Sequence, residues 1–92
     1  MKQQAKQGLP NAPVNLTPSN VTSTSVDLAW NLVLQADGYN IYQDGVIIAS
    51  SVTNNYSVTG LTTATAYSYQ VSAVGTNGVE SALSTALSVT TL

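Results

Sequence analysis

The chain has no cysteine, no histidine and no phenylalanine, and only 7% of its 92 residues are charged. Without cysteine, no disulfide can stabilise the fold and no thiolate can act as a nucleophile or metal ligand. Without histidine, the side chain that most often transfers protons near neutral pH is missing. These absences remove the commonest catalytic and metal-binding arrangements, and we expect no metal and no cofactor.

Positive charge is confined to one end of the sequence. The two basic residues are Lys2 and Lys6, and there is no arginine. From residue 7 onward every charged residue is acidic, namely Asp27, Asp37, Asp44 and Glu80. Because nucleic-acid binding depends on neutralising phosphates with lysine and arginine, we expect no nucleic-acid partner.

Long apolar runs are absent as well. The longest covers the four residues 46–49, whereas a membrane-spanning helix needs about 20, so we expect no membrane insertion. The first nine residues, MKQQAKQGL, lack the apolar stretch of a signal peptide. We interpret residues 1–11 as a linker or tail, with a helical docking arm as the alternative, and residues 12–92 as one domain.

Apolar and polar residues alternate after Pro13, which is typical of half-buried strands. The dipeptides Asp44-Gly45 and Asn77-Gly78 tolerate the positive φ of tight turns and indicate loop tips. No ten-residue stretch has helical periodicity. The pattern predicts an all-β, antiparallel, immunoglobulin-like sandwich of about seven strands, near residues 14–17, 26–30, 39–42, 46–50, 56–58, 66–74 and 87–89.

The inward-facing positions of these strands predict a single core. Trp30 and the tyrosines must supply its bulk because there is no phenylalanine. We expect its main members to be Trp30, Tyr39, Ile41, Leu61, Tyr67, Tyr69 and Val71. The remaining inward positions are Val14, Leu16, Val26, Leu28, Tyr56, Val58, Ala73, Leu87 and Val89.

Several ordered motifs give the chain a family resemblance. They are S-V-D-L-A-W ending at Trp30, G-Y-N-I-Y at 38–42, G-L at 60–61, Y-S-Y-Q-V-S-A-V at 67–74 and S-V-T-T at 88–91. Over residues 13–92 the chain resembles a fibronectin type III domain. Its short, cysteine-free, Ser/Thr-rich texture is most similar to the modules of bacterial secreted glycoside hydrolases and surface proteins.

The resemblance implies one specific structural interaction. Leu61 stands six residues before Tyr67, which is the spacing of the family's tyrosine corner. In that corner the tyrosine hydroxyl bonds the backbone of the preceding crossover loop. The family often has Pro-Gly within this loop, whereas Thr63 and Ala64 stand here, so the resemblance implies a less rigid loop.

Few residues offer catalytic chemistry. Asp37 and Glu80 are expected at one end of the sandwich, where a carboxylate pair would resemble that of glycosidases. Such a pair would lie on loops without a cleft, and two carboxylates are too few for the six to eight oxygens of a calcium site. We interpret both as solvated loop acids and expect no catalytic residue, so the protein is not expected to be an enzyme.

Binding residues are also sparse. Sugar-binding modules usually present several exposed aromatic rings, and here Tyr42 is the one clear outward ring. Apolar residues 46–49, with Ile47 among them, are expected near a sheet edge, which is a common docking element. Asn77 and Glu80 lie on a predicted loop. Possible binding residues are therefore Tyr42, Ile47, Asn77 and Glu80.

Two functions remain open from the sequence. The first is a monomeric structural spacer in a larger extracellular protein, in contact with neighbouring domains of the same chain. The resemblance implies that this parent is a bacterial carbohydrate-active or surface protein. The alternative is a recognition module that binds a protein or polysaccharide through loop tips or the strand edge at residues 46–49.

Overall fold

A computed structural model describes residues 9–92 and contains seven strands and no helix within them, so no described segment can cross a membrane as a helix. Lys2, Lys6 and the proposed helical arm lie outside the described residues. The strands are β1 Thr17–Ser19, β2 Val26–Ala29, β3 Ala36–Gln43, β4 Val46–Ser51, β5 Asn55–Val58, β6 Ala66–Gly75 and β7 Leu87–Thr90.

The strands form two antiparallel sheets that face each other. One sheet has the order β1-β2-β5 and the other has the order β4-β3-β6-β7. In the larger sheet Ile41 of β3 is paired with Val71 of β6 and with Ala49 of β4. The Asp44-Gly45 turn joins β3 to β4, and both of its residues have positive φ (51° and 83°). The predicted seven-stranded antiparallel sandwich is confirmed.

The core lies between the sheets and is built from the alternate residues of each long strand. Trp30 is 3% exposed, and its ring meets the ring of Tyr39 edge to face at a centroid distance of 5.3 Å. Such an arrangement is favourable for aromatic pairs. The indole N–H of Trp30 is buried without a hydrogen-bond partner in the described part of the chain. The other buried apolar residues are Val26, Leu28, Ile41, Val58, Leu61, Tyr69, Val71, Ala73 and Val89.

The start of the fold differs from the prediction. We expected a strand at residues 14–17 with Val14 inside, but β1 begins at Thr17 and Val14 is 57% exposed. The reason is Asn15, whose φ of 60° interrupts the extended backbone and breaks the alternation. Pro13 is fully buried in this region and Leu16 packs partly against the core. Tyr56, Tyr67 and Leu87 also pack against it while remaining half-buried.

The tyrosine corner forms as the resemblance implied. The Tyr67 hydroxyl accepts a hydrogen bond from the backbone N–H of Thr62 at 2.8 Å. Ala64 has a φ of 52°, a conformation that is uncommon for a residue other than glycine. The crossover loop therefore keeps its anchor although the usual Pro-Gly is missing.

In the C-terminal half of β6, serine side chains supply the hydrogen bonds that a neighbouring strand would otherwise provide. β7 pairs with β6 only at residues 66–69. Beyond that point, Ser84 N–H donates to Val71 C=O (2.8 Å) and Ser84 Oγ accepts from Val71 N–H (2.9 Å). Likewise, Ser81 N–H donates to Ala73 C=O (2.7 Å) and Ser81 Oγ accepts from Ala73 N–H (2.9 Å). Two serine hydroxyls thus replace the carbonyls that a regular neighbouring strand would supply.

Removing either hydroxyl should leave a buried backbone N–H without an acceptor. We expect Ser81→Ala and Ser84→Ala each to lower the free energy of unfolding by about 1–3 kcal/mol. Urea denaturation of the two variants measures this. Ser88→Ala is the control, because Ser88 is an exposed serine of β7. Equal stability of all three variants would contradict the role given to these serines.

Candidate functional site

The outer face of the four-stranded sheet carries a cluster of polar side chains that are hydrogen-bonded to one another. Asn40 and Tyr42 lie on β3 between inward-facing neighbours, so their side chains point away from the core. Ser72 of β6 is paired with Asn40 and therefore points to the same face. Ser50 of β4 is paired with Asn40 from the other side. Three adjacent strands thus bring these four side chains together.

Glu80 joins this cluster from the loop after β6. One of its carboxylate oxygens accepts hydrogen bonds from the hydroxyls of Tyr42 and Ser72, and from the Asn40 amide at 3.2 Å. The Ser50 hydroxyl donates to the side-chain oxygen of Asn40 at 2.7 Å. The network therefore links β4, β3, β6 and the β6–β7 connection. Glu80 is an exposed residue of the β6–β7 connection, as expected, and its carboxylate is in addition hydrogen-bonded to Ser72 and Tyr42 of the sheet.

The hydrogen bonds of the cluster favour the ionised form of Glu80. Donation by Ser72, and then by Tyr42, lowers the pKa of Glu80 below its usual value. The same hydrogen bond raises the pKa of Tyr42, because the hydroxyl must keep its proton to donate it to Glu80; partial desolvation and the nearby negative charge act in the same direction. Glu80 is thus held as an anion with its donors in place, an arrangement typical of a structural carboxylate.

The two carboxylates expected at this end, Asp37 and Glu80, differ in their surroundings. Asp37 is exposed near the start of β3, whereas the Glu80 side chain is turned along the sheet towards Tyr42. A general acid needs a raised pKa, and the pKa of Glu80 is lowered. Within residues 9–92 no group of three or more acidic, cysteine or histidine side chains could hold a metal ion.

The possible binding residues fall in two places. Tyr42, Glu80 and Ile47 share the outer sheet face, since Ile47 is the β4 residue paired with Tyr42. Ile47 is 49% exposed on a strand at the edge of its sheet. Asn77 lies apart at the tip of the β6–β7 connection, where its side-chain oxygen accepts from Val79 N–H at 3.3 Å. The structure therefore does not gather all of these residues into one site.

Two tyrosines of the core have hydroxyl partners that the sequence did not reveal, a backbone N–H for Tyr39 and a side chain for Tyr69. The Tyr39 hydroxyl accepts from Val33 N–H at 3.0 Å and anchors the β2–β3 loop. The Tyr69 hydroxyl donates to Gln43 Oε1 at 2.9 Å, and burial raises the pKa of Tyr69 to about 12. Alternation identifies both rings as inward-facing, but the hydroxyl partners depend on the conformation of the β2–β3 loop for Tyr39 and on the Gln43 side chain for Tyr69.

Two bacterial enzymes contain segments similar to this chain. Chitinase Chi52 of Paenibacillus xylanexedens is 45% identical over 85 residues, which cover 89% of this chain and 16% of the enzyme. A poly(3-hydroxybutyrate) depolymerase of Ralstonia pickettii is 42% identical over 81 residues, covering 88% of this chain and 17% of that protein. The chain thus spans about a sixth of the length of these relatives.

Structural comparison agrees with the sequence comparison. Chitinase ChiA74 from Bacillus thuringiensis superposes with a TM-score of 0.84 at 27% identity, over 97% of this chain and 14% of the chitinase. The family model described as the fibronectin type III domain matches residues 11–90. Together with the two-sheet topology and the tyrosine corner, these matches show that the chain belongs to the fibronectin type III domain family.

Proposed function

We propose that this domain is a non-catalytic spacer in a larger extracellular bacterial protein that acts on a polymer. The relatives are much longer than this chain, and their names give chitin and poly(3-hydroxybutyrate) as substrates. Such polymers are too large to enter a cell, which supports an extracellular location. A carbohydrate-active parent is the more specific expectation, and the partners are then neighbouring domains of the same chain.

The observation that carries the proposal is that the chain enters the sandwich at one end and reaches Leu92 at the opposite end. At one end of the sandwich, Pro10 lies beside Gly75, within 3.5 Å of where a Gly75 side chain would begin. We call this the entry end. At the opposite end, Leu92 N–H donates to Thr22 C=O at 3.1 Å. A domain inserted between two others would therefore hold them apart by its full length.

The outer-face cluster supports a structural role for its residues. One carboxylate oxygen of Glu80 already accepts hydrogen bonds from Tyr42 and Asn40, so a ligand that used these groups would have to compete with those bonds. The single ring of Tyr42 is also a small platform for a sugar chain. We infer that the cluster fixes the β6–β7 connection against the sheet.

A second candidate function is recognition through β4. This strand is at a sheet edge, carries no charge, and exposes Val46 (63%) and Ile47 (49%). Uncharged edges are suited to pairing with an extended segment of a partner. A bulge at Ile48 interrupts the regular pairing with β3 and makes the edge less even. The spacer role does not require this edge, so the two functions can be tested separately.

Retention on polymers distinguishes the two functions. We expect the 92-residue chain to show no saturable binding to insoluble chitin, cellulose or poly(3-hydroxybutyrate), since the polar side chains around Glu80 on the outer sheet face already bond one another. The measurement is depletion of the protein from solution across a concentration series. Tyr42→Ala and Ile47→Lys are the matched variants. Saturable retention that either substitution abolishes would replace the spacer role with recognition at that residue.

The structural role of Glu80 predicts a pH dependence of stability. Its folded-state pKa is lowered, so it stabilises the fold above the unfolded-state value of about 4.3 and ceases to do so as the pH falls through the folded-state value. We expect Glu80→Gln to lower the free energy of unfolding at pH 7, and the difference from wild type to shrink below about pH 4. Urea denaturation between pH 3 and 7 measures it.

The pKa of Asp27 is also lowered, mainly by Asn20, but this carboxylate is present in both proteins and cancels in the difference. A difference between wild type and Glu80→Gln that stays constant over the whole pH range would contradict the assignment of the stabilisation to the ionised carboxylate.

A further inference from the structure

The loops at the entry end expose large apolar side chains. Leu32 and Leu34 of the β2–β3 loop are 71% and 84% exposed, and Val52 of the β4–β5 connection is 85% exposed. By contrast, the loops at the opposite end consist mainly of Thr, Ser, Gly, Asn and Asp. Isolated exposed apolar residues are common, but three on adjoining loops at one end are a feature that needs an explanation.

The β2–β3 loop holds its two leucines in an outward orientation. Val33 lies between them, packs against the core and donates its N–H to the Tyr39 hydroxyl at 3.0 Å. Because this middle residue is fixed inward, its neighbours Leu32 and Leu34 are directed to solvent. Their exposure is therefore built into the fold and does not result from an unconstrained loop.

The two loops are joined to each other. The backbone N–H of Trp30 donates to Asn54 C=O at 3.1 Å, and the side-chain amide of Asn54 donates to the backbone C=O of Trp30 at 2.8 Å. Val52 lies two residues before Asn54 on the same connection. The three apolar side chains consequently lie on two loops that are bonded to each other. Neither residues 31–35 nor residues 52–54 include a charge, and the charge beside them is that of Asp37, which lines the same surface hollow as Val52.

The chain enters the domain at this same end. Pro13 is fully buried, Val14 C=O accepts from Asn31 N–H at 3.0 Å, and Pro10 lies beside Gly75. The chain therefore enters the domain beside the β2–β3 loop that carries Leu32 and Leu34. Short tethers give effective concentrations on the order of millimolar, so even a small contact would be populated.

We infer that Leu32, Leu34 and Val52 form a docking surface for the domain that precedes this one in its parent chain, and that this neighbour contacts them with an uncharged apolar surface. The inference rests on the proposed role within a longer protein and makes it more specific. Neighbouring domains move independently by default unless they share an apolar interface. Docking at this surface would make the spacer a stiff extension of the preceding domain.

The test uses the natural chain that carries this domain together with its preceding domain. Nitrogen-15 relaxation measures whether the two domains tumble as one body. We expect joint tumbling in the unsubstituted protein and its loss in Leu34→Lys and Val52→Lys, because a charged side chain opposes burial of the contact. Val46→Lys is the matched control, since Val46 is 63% exposed on β4 away from the entry end.

Each outcome bears on the inference directly. Independent tumbling of the unsubstituted domains, the absence of any preceding domain, or equal loss of coupling in Val46→Lys would overturn it. Thermal unfolding of the isolated 92-residue variants should match wild type, which separates lost docking from lost folding. Independent tumbling combined with no retention on polymers would leave the spacer role intact and remove only the docking surface.

Discussion

The structure depends on the hydrogen bonding of β6, the strand that runs through the middle of the larger sheet. Its inner side contributes Tyr69, Val71 and Ala73 to the core, and its start contributes the tyrosine corner at Tyr67. All of these positions require that both backbone edges of β6 be satisfied. β3 satisfies one edge along its length, while β7 and then two serines satisfy the other.

This arrangement connects the core to the surface. Because residues 81–86 are bound to β6 by serines, the connection that carries Glu80 lies close to the sheet, and the carboxylate can reach Tyr42 and Ser72. The same strand therefore orders the inner face, the outer polar cluster and the β6–β7 connection. Such bracing across three strands and a connection is compatible with the spacer role that we propose.

The sequence predicted the parts of the fold that depend on local chemistry. Alternation located the long strands, the Asp44-Gly45 dipeptide located a hairpin, and the Leu-to-Tyr spacing located the corner at Tyr67. It failed where one backbone torsion decided the outcome, as at Asn15, whose left-handed conformation moved β1. It also did not predict the hydrogen bonds of Glu80 to Tyr42 and Ser72, because the partners of a loop carboxylate depend on how a distant connection folds. The exposure of Leu32 and Leu34 has the same origin, since it follows from the anchoring of Val33.

Native-state hydrogen exchange of the Val71 and Ala73 amides tests the central claim most directly. If the serine hydroxyls complete the sheet, these two amides should open only when the whole domain unfolds, with the free energy that urea denaturation gives for global unfolding. Exchange of either amide at the rate of the loop-tip amide of Asn77 would contradict the account, because it would show that the connection detaches while the rest of the domain stays folded.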